Sequence, residues 1–207
     1  MPVRPVFGLV LAGGESRRMG QDKALLIRDG KSQLQYLTDL LQGCVERVFV
    51  SAREDQQGDE ERGRYAQIID RYEDIGPVAG ILSALEEYPE VDWLVVACDL
   101  PNIDADTIRY LLEHSSPSQP FTAYTSSHDG LPEPLCAVYR CGCADIVRQF
   151  VDDGINCPRK ILIRSATHLL KQPNPRALDN VNTPEDLRES ILSASGPTRL
   201  PDSTAGS

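Results

Sequence analysis

The chain has 207 residues, of which 41% are hydrophobic and 25% charged, enough to bury the core of one compact domain. A net charge of −10 and a pI near 4.8 exclude duplex nucleic acid and an anionic membrane surface as main partners, because both would repel the chain; an anionic small substrate would have to meet a local basic patch. No run of about 18 apolar residues occurs, and the apolar stretch from Val6 to Leu11 is too short for a secretory signal, so a cytoplasmic location is the expectation.

In chain order, Val6 to Leu11 is a short aliphatic run that stops at Ala12-Gly13-Gly14, the pattern of a buried parallel strand entering a loop. Leu34, Leu37, Leu41 and Cys44 recur at helical spacing, and Val45 to Val50 reads as a second strand. Glu54 to Arg64 is almost wholly polar and suits a solvated loop or helix face, after which Ile68 and Ile69 resume a strand that Asp70 ends. Gly76 to Leu85 reads as a helix with proline in its first turn, and Trp93 to Ala97 as the most apolar strand, closed by Cys98-Asp99-Leu100-Pro101. Asp104 or Asp106 can cap a helix through Leu112, and Phe121 to Thr125 and Leu135 to Tyr139 read as strands. Pro132-Glu133-Pro134 reads as a rigid turn. Thr183-Pro184-Glu185-Asp186 has the cap, proline and early acids of a last helix to about Leu192.

Strands separated by helices imply an α/β fold with a mainly parallel sheet and helices on both faces, in three layers. One domain is expected over residues 1–193, followed by a small, polar, disordered tail, 194–207. Ligands of such folds bind at the carboxyl ends of strands. The glycine loop, Asp70 and Asp99 each follow an expected strand, so a parallel sheet places all three along one edge.

The segment from Leu11 to Lys23 combines Gly13 and Gly14, which let backbone approach a ligand, with the cations Arg17, Arg18 and Lys23, which can hold phosphate oxygens. It reads as a triphosphate cradle or, alternatively, as a surface turn with solvated charges. It matches neither the P-loop nor the dinucleotide fingerprint, which argues against a P-loop NTPase and a Rossmann dehydrogenase. Asp99 at a strand end is placed to hold a hard cation such as Mg²⁺, or to serve as a structural loop acid; Asp70 has the same two readings. The cysteines at 44, 98, 136, 141, 143 and 157 are expected as free thiols, Cys98 and Cys136 in the core. Cys141-x-Cys143 has no second pair at zinc-ligand spacing.

The strings LAGGESRRMGQDKALL, GPVAGILSAL, VVACDLP, PEPLCAVY and NVNTPEDL occur in this order up to Leu187. Together they resemble the molybdenum cofactor guanylyltransferases of the MobA-like nucleotidyltransferase family. The resemblance implies a Rossmann-like nucleotidyltransferase fold, Mg²⁺ as cofactor, and transfer of GMP from GTP to the phosphate of molybdopterin with release of pyrophosphate. It implies nucleotide contacts from Leu11, Ala12, Gly13 and Gly14, phosphate contacts from Lys23 aided by Arg17 and Arg18, and nucleotide binding by Asp70. Asp99 would bind both nucleotide and metal. Where the family's second strand often ends in a nucleotide-binding asparagine this chain has Ser51, so that contact is weaker or lost, and base selectivity with it.

Arg159, Lys160, Asn180 and Asn182 could line the acceptor side, bordered by Pro132-Glu133-Pro134, or could be simply solvated. Molybdoenzyme apoproteins or other cofactor-synthesis proteins are the expected protein partners. The competing readings are a cytidylyltransferase of the same cofactor, a sugar-phosphate nucleotidyltransferase, and a non-catalytic cofactor-delivery module.

Overall fold

The computed structural model of the chain describes residues 4–14, 22–28, 30–181 and 186. Chain order begins with β1 (Val6–Leu11), the short β2 (Ile27–Arg28) and β3 (Lys31–Ser32), α1 (Gln33–Gln42), β4 (Arg47–Ala52), β5 (Gln67–Ile69) and α2 (Pro77–Glu87). It continues with β6 (Asp92–Ala97), α3 (Ala105–Glu113), β7 (Phe121–Thr125), β8 (Pro132–Tyr139), α4 (Ala144–Asp152), α5 (Pro158–Arg164) and β9 (Thr167–Lys171).

Seven strands form one sheet in the order β5-β4-β1-β6-β8-β7-β9, while β2 and β3 pair apart from it. β1 runs parallel to β4 and β6, β4 to β5, and β7 to β9; β8 is antiparallel to both neighbours. Successive strand side chains point to opposite faces. Phe7, Leu9, Phe49, Trp93 and Val95 therefore meet α2, α4 and α5 on one face. Val10, Val50, Leu94 and Val96 meet Leu34, Leu37 and Leu41 of α1 and Ile108 and Leu111 of α3 on the other. The result is the expected three-layer, mainly parallel α/β architecture.

Local chemistry sets the element ends. Ser32 Oγ accepts from the Gln35 N–H at 3.0 Å and starts α1, and Asp104 Oδ1 accepts from the Thr107 N–H at 2.7 Å and starts α3. α2 starts with Pro77 after Gly76, whose φ of 61° and ψ of −143° suit glycine. β4 begins at Arg47 rather than Val45, because the N–H groups of Cys44 and Val45 still bond to Leu41 O as α1 unwinds.

Two expectations need correction. Pro132-Glu133-Pro134 is the first part of β8 and not a turn. β6 pairs with β8 only from Cys136 onward, and the β7 register slips between Ala123 and Tyr124, so the prolines sit beside a bulge where a missing N–H costs little. The polar run from Glu54 to Arg64 is not wholly solvated, since Arg62 is 1% exposed. The last expected helix, from Thr183, lies outside the described residues apart from Asp186.

Candidate active site

The register of the parallel strands builds the site. Leu11 stands opposite both Ser51 and Ala97, and Ala52 opposite Ile69, so the residues that follow these strands emerge along one edge. There they line a cavity of about 1130 Å³. Leu11, Ala12, Gly13, Gly14, Lys23, Ser51, Asp70 and Asp99 all border it, so every nucleotide-site residue expected from the sequence and described by the structure is in one place. Arg17 and Arg18 lie outside the described residues.

Asp99 follows β6 and faces Lys23. Its Oδ2 is 3.6 Å from Lys23 Nζ, and its Oδ1 is buried with no hydrogen-bond partner among the described residues. Burial pushes its carboxyl above the usual carboxylate range, and the Lys23 ammonium pulls it back. A buried carboxylate oxygen without a donor is a position a hard cation can fill, so the residues present fit a divalent metal. Among the described residues no group of three or more His, Cys, Asp or Glu side chains could hold a metal ion.

Asp70 is held differently. Ser51 Oγ donates to its Oδ1 at 2.7 Å, yet burial outweighs this bond and the Arg53 charge, and raises its pKa to about 6. α2 presses against this pair through Gly80: a Cβ there would sit 2.2 Å from Ser51 Oγ and 3.1 Å from Asp70 Oδ1. A Cβ on Gly13 would lie 3.1 Å from Asp70 Oδ2. Glycine at both positions is thus what lets the loop, β4 and α2 converge on Asp70.

Two arginines that sequence reasoning missed hold the loop itself. Arg53 donates to Gly13 O at 2.8 Å and pairs with Asp55. Arg62 donates to Ala12 O and pairs with Asp22. No periodicity marks either residue, because both lie in polar sequence after β4. The expected basic patch is not evident among the described residues: Asp22, Glu54, Asp55, Asp70, Glu73, Asp74 and Asp99 border the cavity against Lys23, Arg53 and Arg71.

Of the residues expected to line an acceptor side, Arg159 and Asn180 border a second cavity of about 190 Å³, which shares Pro77 and Leu135 with the first. Arg159 is ion-paired to Asp129 at 2.9 Å and to Glu133 at 2.8 Å, so its charge is already balanced. Lys160 is exposed and is not among the residues bordering either cavity, and Asn182 lies outside the described residues. Cys98 and Cys136 are buried free thiols, both pushed up in pKa by burial, as core cysteines are. Among the described residues no helix is long and apolar enough to cross a membrane.

The profile of the MobA-like NTP transferase domain matches residues 8–169. A molybdenum cofactor biosynthesis bifunctional protein of Synechocystis sp. is 40% identical over 182 residues, which cover 88% of this chain and 52% of that protein. The chain thus spans about half the length of that relative. A probable molybdenum cofactor guanylyltransferase of Trichormus variabilis is 31% identical, with 86% of this chain and 87% of that protein covered. Among solved structures, molybdopterin-guanine dinucleotide biosynthesis protein A from Archaeoglobus fulgidus superposes with a TM-score of 0.74 at 24% identity, over 88% of this chain and 95% of that one, a likeness of fold.

Proposed function

We propose that this chain, which belongs to the MobA-like NTP transferase family, transfers GMP from GTP to the phosphate of molybdopterin and releases pyrophosphate. The observation that carries the reading is the convergence of Gly13, Lys23, Asp70 and Asp99 on one cavity at the carboxyl edge of the sheet. The relatives' names supply the acceptor and the base.

In this reading the glycine loop and Lys23 cradle the triphosphate, and Arg17 and Arg18 of the same segment add charge to it. A magnesium ion held by Asp99 would supply positive charge against the triphosphate and the departing pyrophosphate. That supply matters because acids outnumber bases around the cavity among the described residues. A molybdopterin phosphate is largely dianionic at neutral pH and needs no strong general base. One of its oxygens bonds to the α-phosphorus of GTP while the bond to the bridging oxygen breaks, and pyrophosphate leaves with the electron pair. Lys23 and the loop hold these atoms in line, so the protein mainly positions and neutralises.

The pterin is assigned to the smaller cavity, where Asn180 and the Arg159–Glu133 pair offer donors and acceptors to a neutral heterocycle rather than bare positive charge. Ser51 acts on the nucleotide through Asp70, since its hydroxyl is committed to that carboxylate.

Pyrophosphate release tests the reading, with Mg²⁺ and each of GTP, CTP, ATP and UTP, with and without molybdopterin. Acceptor-dependent release with GTP is expected. Preference for CTP would make the enzyme a cytidylyltransferase, and no release with any nucleotide would overturn transfer itself.

A further inference from the structure

Arg62 is among the largest fully buried side chains of the protein, yet it lies in a run of polar and charged residues and is far in sequence from two of the groups it touches, Ala12 and Asp22. Its Nη2 donates to Ala12 O at 2.7 Å and to Asp22 Oδ2 at 2.6 Å, and its Nε donates to Ala12 O at 3.2 Å. Nη1 lies 3.3 Å from Asp59 Oδ2, and Asp59 Oδ1 in turn accepts from the Arg62 N–H at 2.9 Å. One planar guanidinium therefore joins the residue that enters the glycine loop, Ala12, to the residue that leaves it, Asp22. Asp59 holds the guanidinium from outside.

Asp22 also accepts from the Ala24 N–H at 3.0 Å, which fixes the turn that carries Lys23. A guanidinium that fixes Asp22 thereby fixes the base of the Lys23 side chain. Its hold on Ala12 O has a second effect. In a planar trans peptide the carbonyl and the following N–H point opposite ways, so the Gly13 N–H is turned to the side away from Arg62. Burying a charge is costly unless it is paired and hydrogen-bonded, and here two carboxylates and a carbonyl meet it. A lysine could not reproduce this, since the ammonium lacks the fork that spans Ala12 and Asp22 together.

We propose that Arg62 is the positioning residue of the nucleotide site: it sets the distance between the two ends of the glycine loop and so orients the Gly13 amide and Lys23 toward the triphosphate. The proposal rests on the reading of this loop as a nucleotide cradle. It gives Arg62 no contact with substrate and no part in the chemical step.

The test compares wild type, Arg62→Met, Arg62→Lys and the exposed control Arg64→Ala, reading equilibrium GTP binding with Mg²⁺ and amide hydrogen exchange of peptides covering residues 8–27. Displacements on the order of 1 Å in such sites cost on the order of a hundredfold, so Arg62→Met is expected to weaken GTP binding by about tenfold or more. Exchange at residues 12–26 is expected to quicken while exchange in β6 stays as in wild type. Arg62→Lys should recover little, and Arg64→Ala should bind as wild type does. A destabilised but correctly arranged protein would bind GTP with unchanged affinity at a lower active fraction, so affinity separates positioning from mere stability.

Should Arg62→Met not fold, Asp59→Asn keeps the acceptor for the Arg62 N–H and removes the outer charge. It is expected to weaken GTP binding several-fold in the same direction. Wild-type affinity in whichever of these variants folds, or unchanged loop exchange, overturns the role of Arg62. A wild-type protein that binds none of the four nucleoside triphosphates overturns the nucleotide reading, and the proposal with it.

Discussion

Asp70 shows how much of a site's chemistry depends on surroundings that a string of letters does not display. Its place at a strand end is readable from Ile68-Ile69-Asp70, but its raised pKa comes from burial beneath Gly80 and Gly13, which outweighs the lowering by the Ser51 hydroxyl and the Arg53 charge. The native state binds a proton here up to about pH 6, whereas the unfolded carboxyl loses it near 3.8. This contribution to stability is therefore fully present below about pH 4 and is lost as pH rises through about 6. Asp70→Asn removes the titration. Relative to that variant, wild type is expected to lose at most about 3 kcal/mol between pH 4 and pH 7, as urea unfolding at a series of pH values would show. Parallel curves for the two proteins would mean that Asp70 ionises normally.

Arg62 and Arg53 are the residue-scale counterpart that reading from the sequence missed. Their charge suggests solvent, and only the three-dimensional closeness of Ala12 and Gly13 reveals that they serve as donors to loop carbonyls. Asp99, by contrast, stands out at the end of the most apolar strand, because an acid following Trp93 to Ala97 in a parallel sheet has nowhere to go but the binding edge.

At the scale of elements, the strands around the site were legible because each is a short aliphatic run, and β1, β5 and β6 are closely followed by glycine or acid. α4, α5 and β9 were not assigned, although Ile146, Val147, Phe150 and Val151 recur at helical spacing in α4; β9 is an edge strand with Leu169 44% exposed, which blurs its pattern. The first part of β8 was read as a turn because its prolines argue locally against a strand, and only the bulge opposite β7 accommodates them. The approach of α2 to the sheet depends on Gly80 in a way that helix propensity alone would reverse. Alanine is the better helix former by about 1 kcal/mol. A Cβ at Gly80 would nonetheless meet Ser51 Oγ at 2.2 Å and Ser51 Cβ at 2.9 Å, so something must shift. Gly80→Ala is expected to destabilise the protein by about 1–3 kcal/mol and to weaken nucleotide binding as α2 moves off Asp70. Gly63→Ala, with open space around its position, should stay within about 0.5 kcal/mol of wild type. Thermal unfolding of the two variants side by side decides this, and an undisturbed Gly80→Ala would show that α2 has room to spare.

For the molecule as a whole, the parallel half of the sheet supplies the nucleotide edge through β1, β4, β5 and β6, and the segment from β8 to α5 supplies the adjoining smaller cavity. The two cavities share Pro77 and Leu135 and so adjoin. That arrangement suits a direct transfer between two bound substrates, and burial, which pushes the Cys98 and Cys136 thiols up, disfavours these two as nucleophiles. For a chain of net charge −10 to act on a triphosphate, the proposed reading relies on Lys23 and on a cation that Asp99 would hold. The measurement that tests this most directly follows the label from GTP carrying ³²P at the α-phosphate in the presence of Mg²⁺ and molybdopterin, for wild type and Asp99→Asn. The account predicts that wild type moves the α-label into a pterin product one-for-one with pyrophosphate, and that Asp99→Asn folds normally and moves none. A label that stays with free nucleotide in wild type, or an equal transfer by Asp99→Asn, would contradict it.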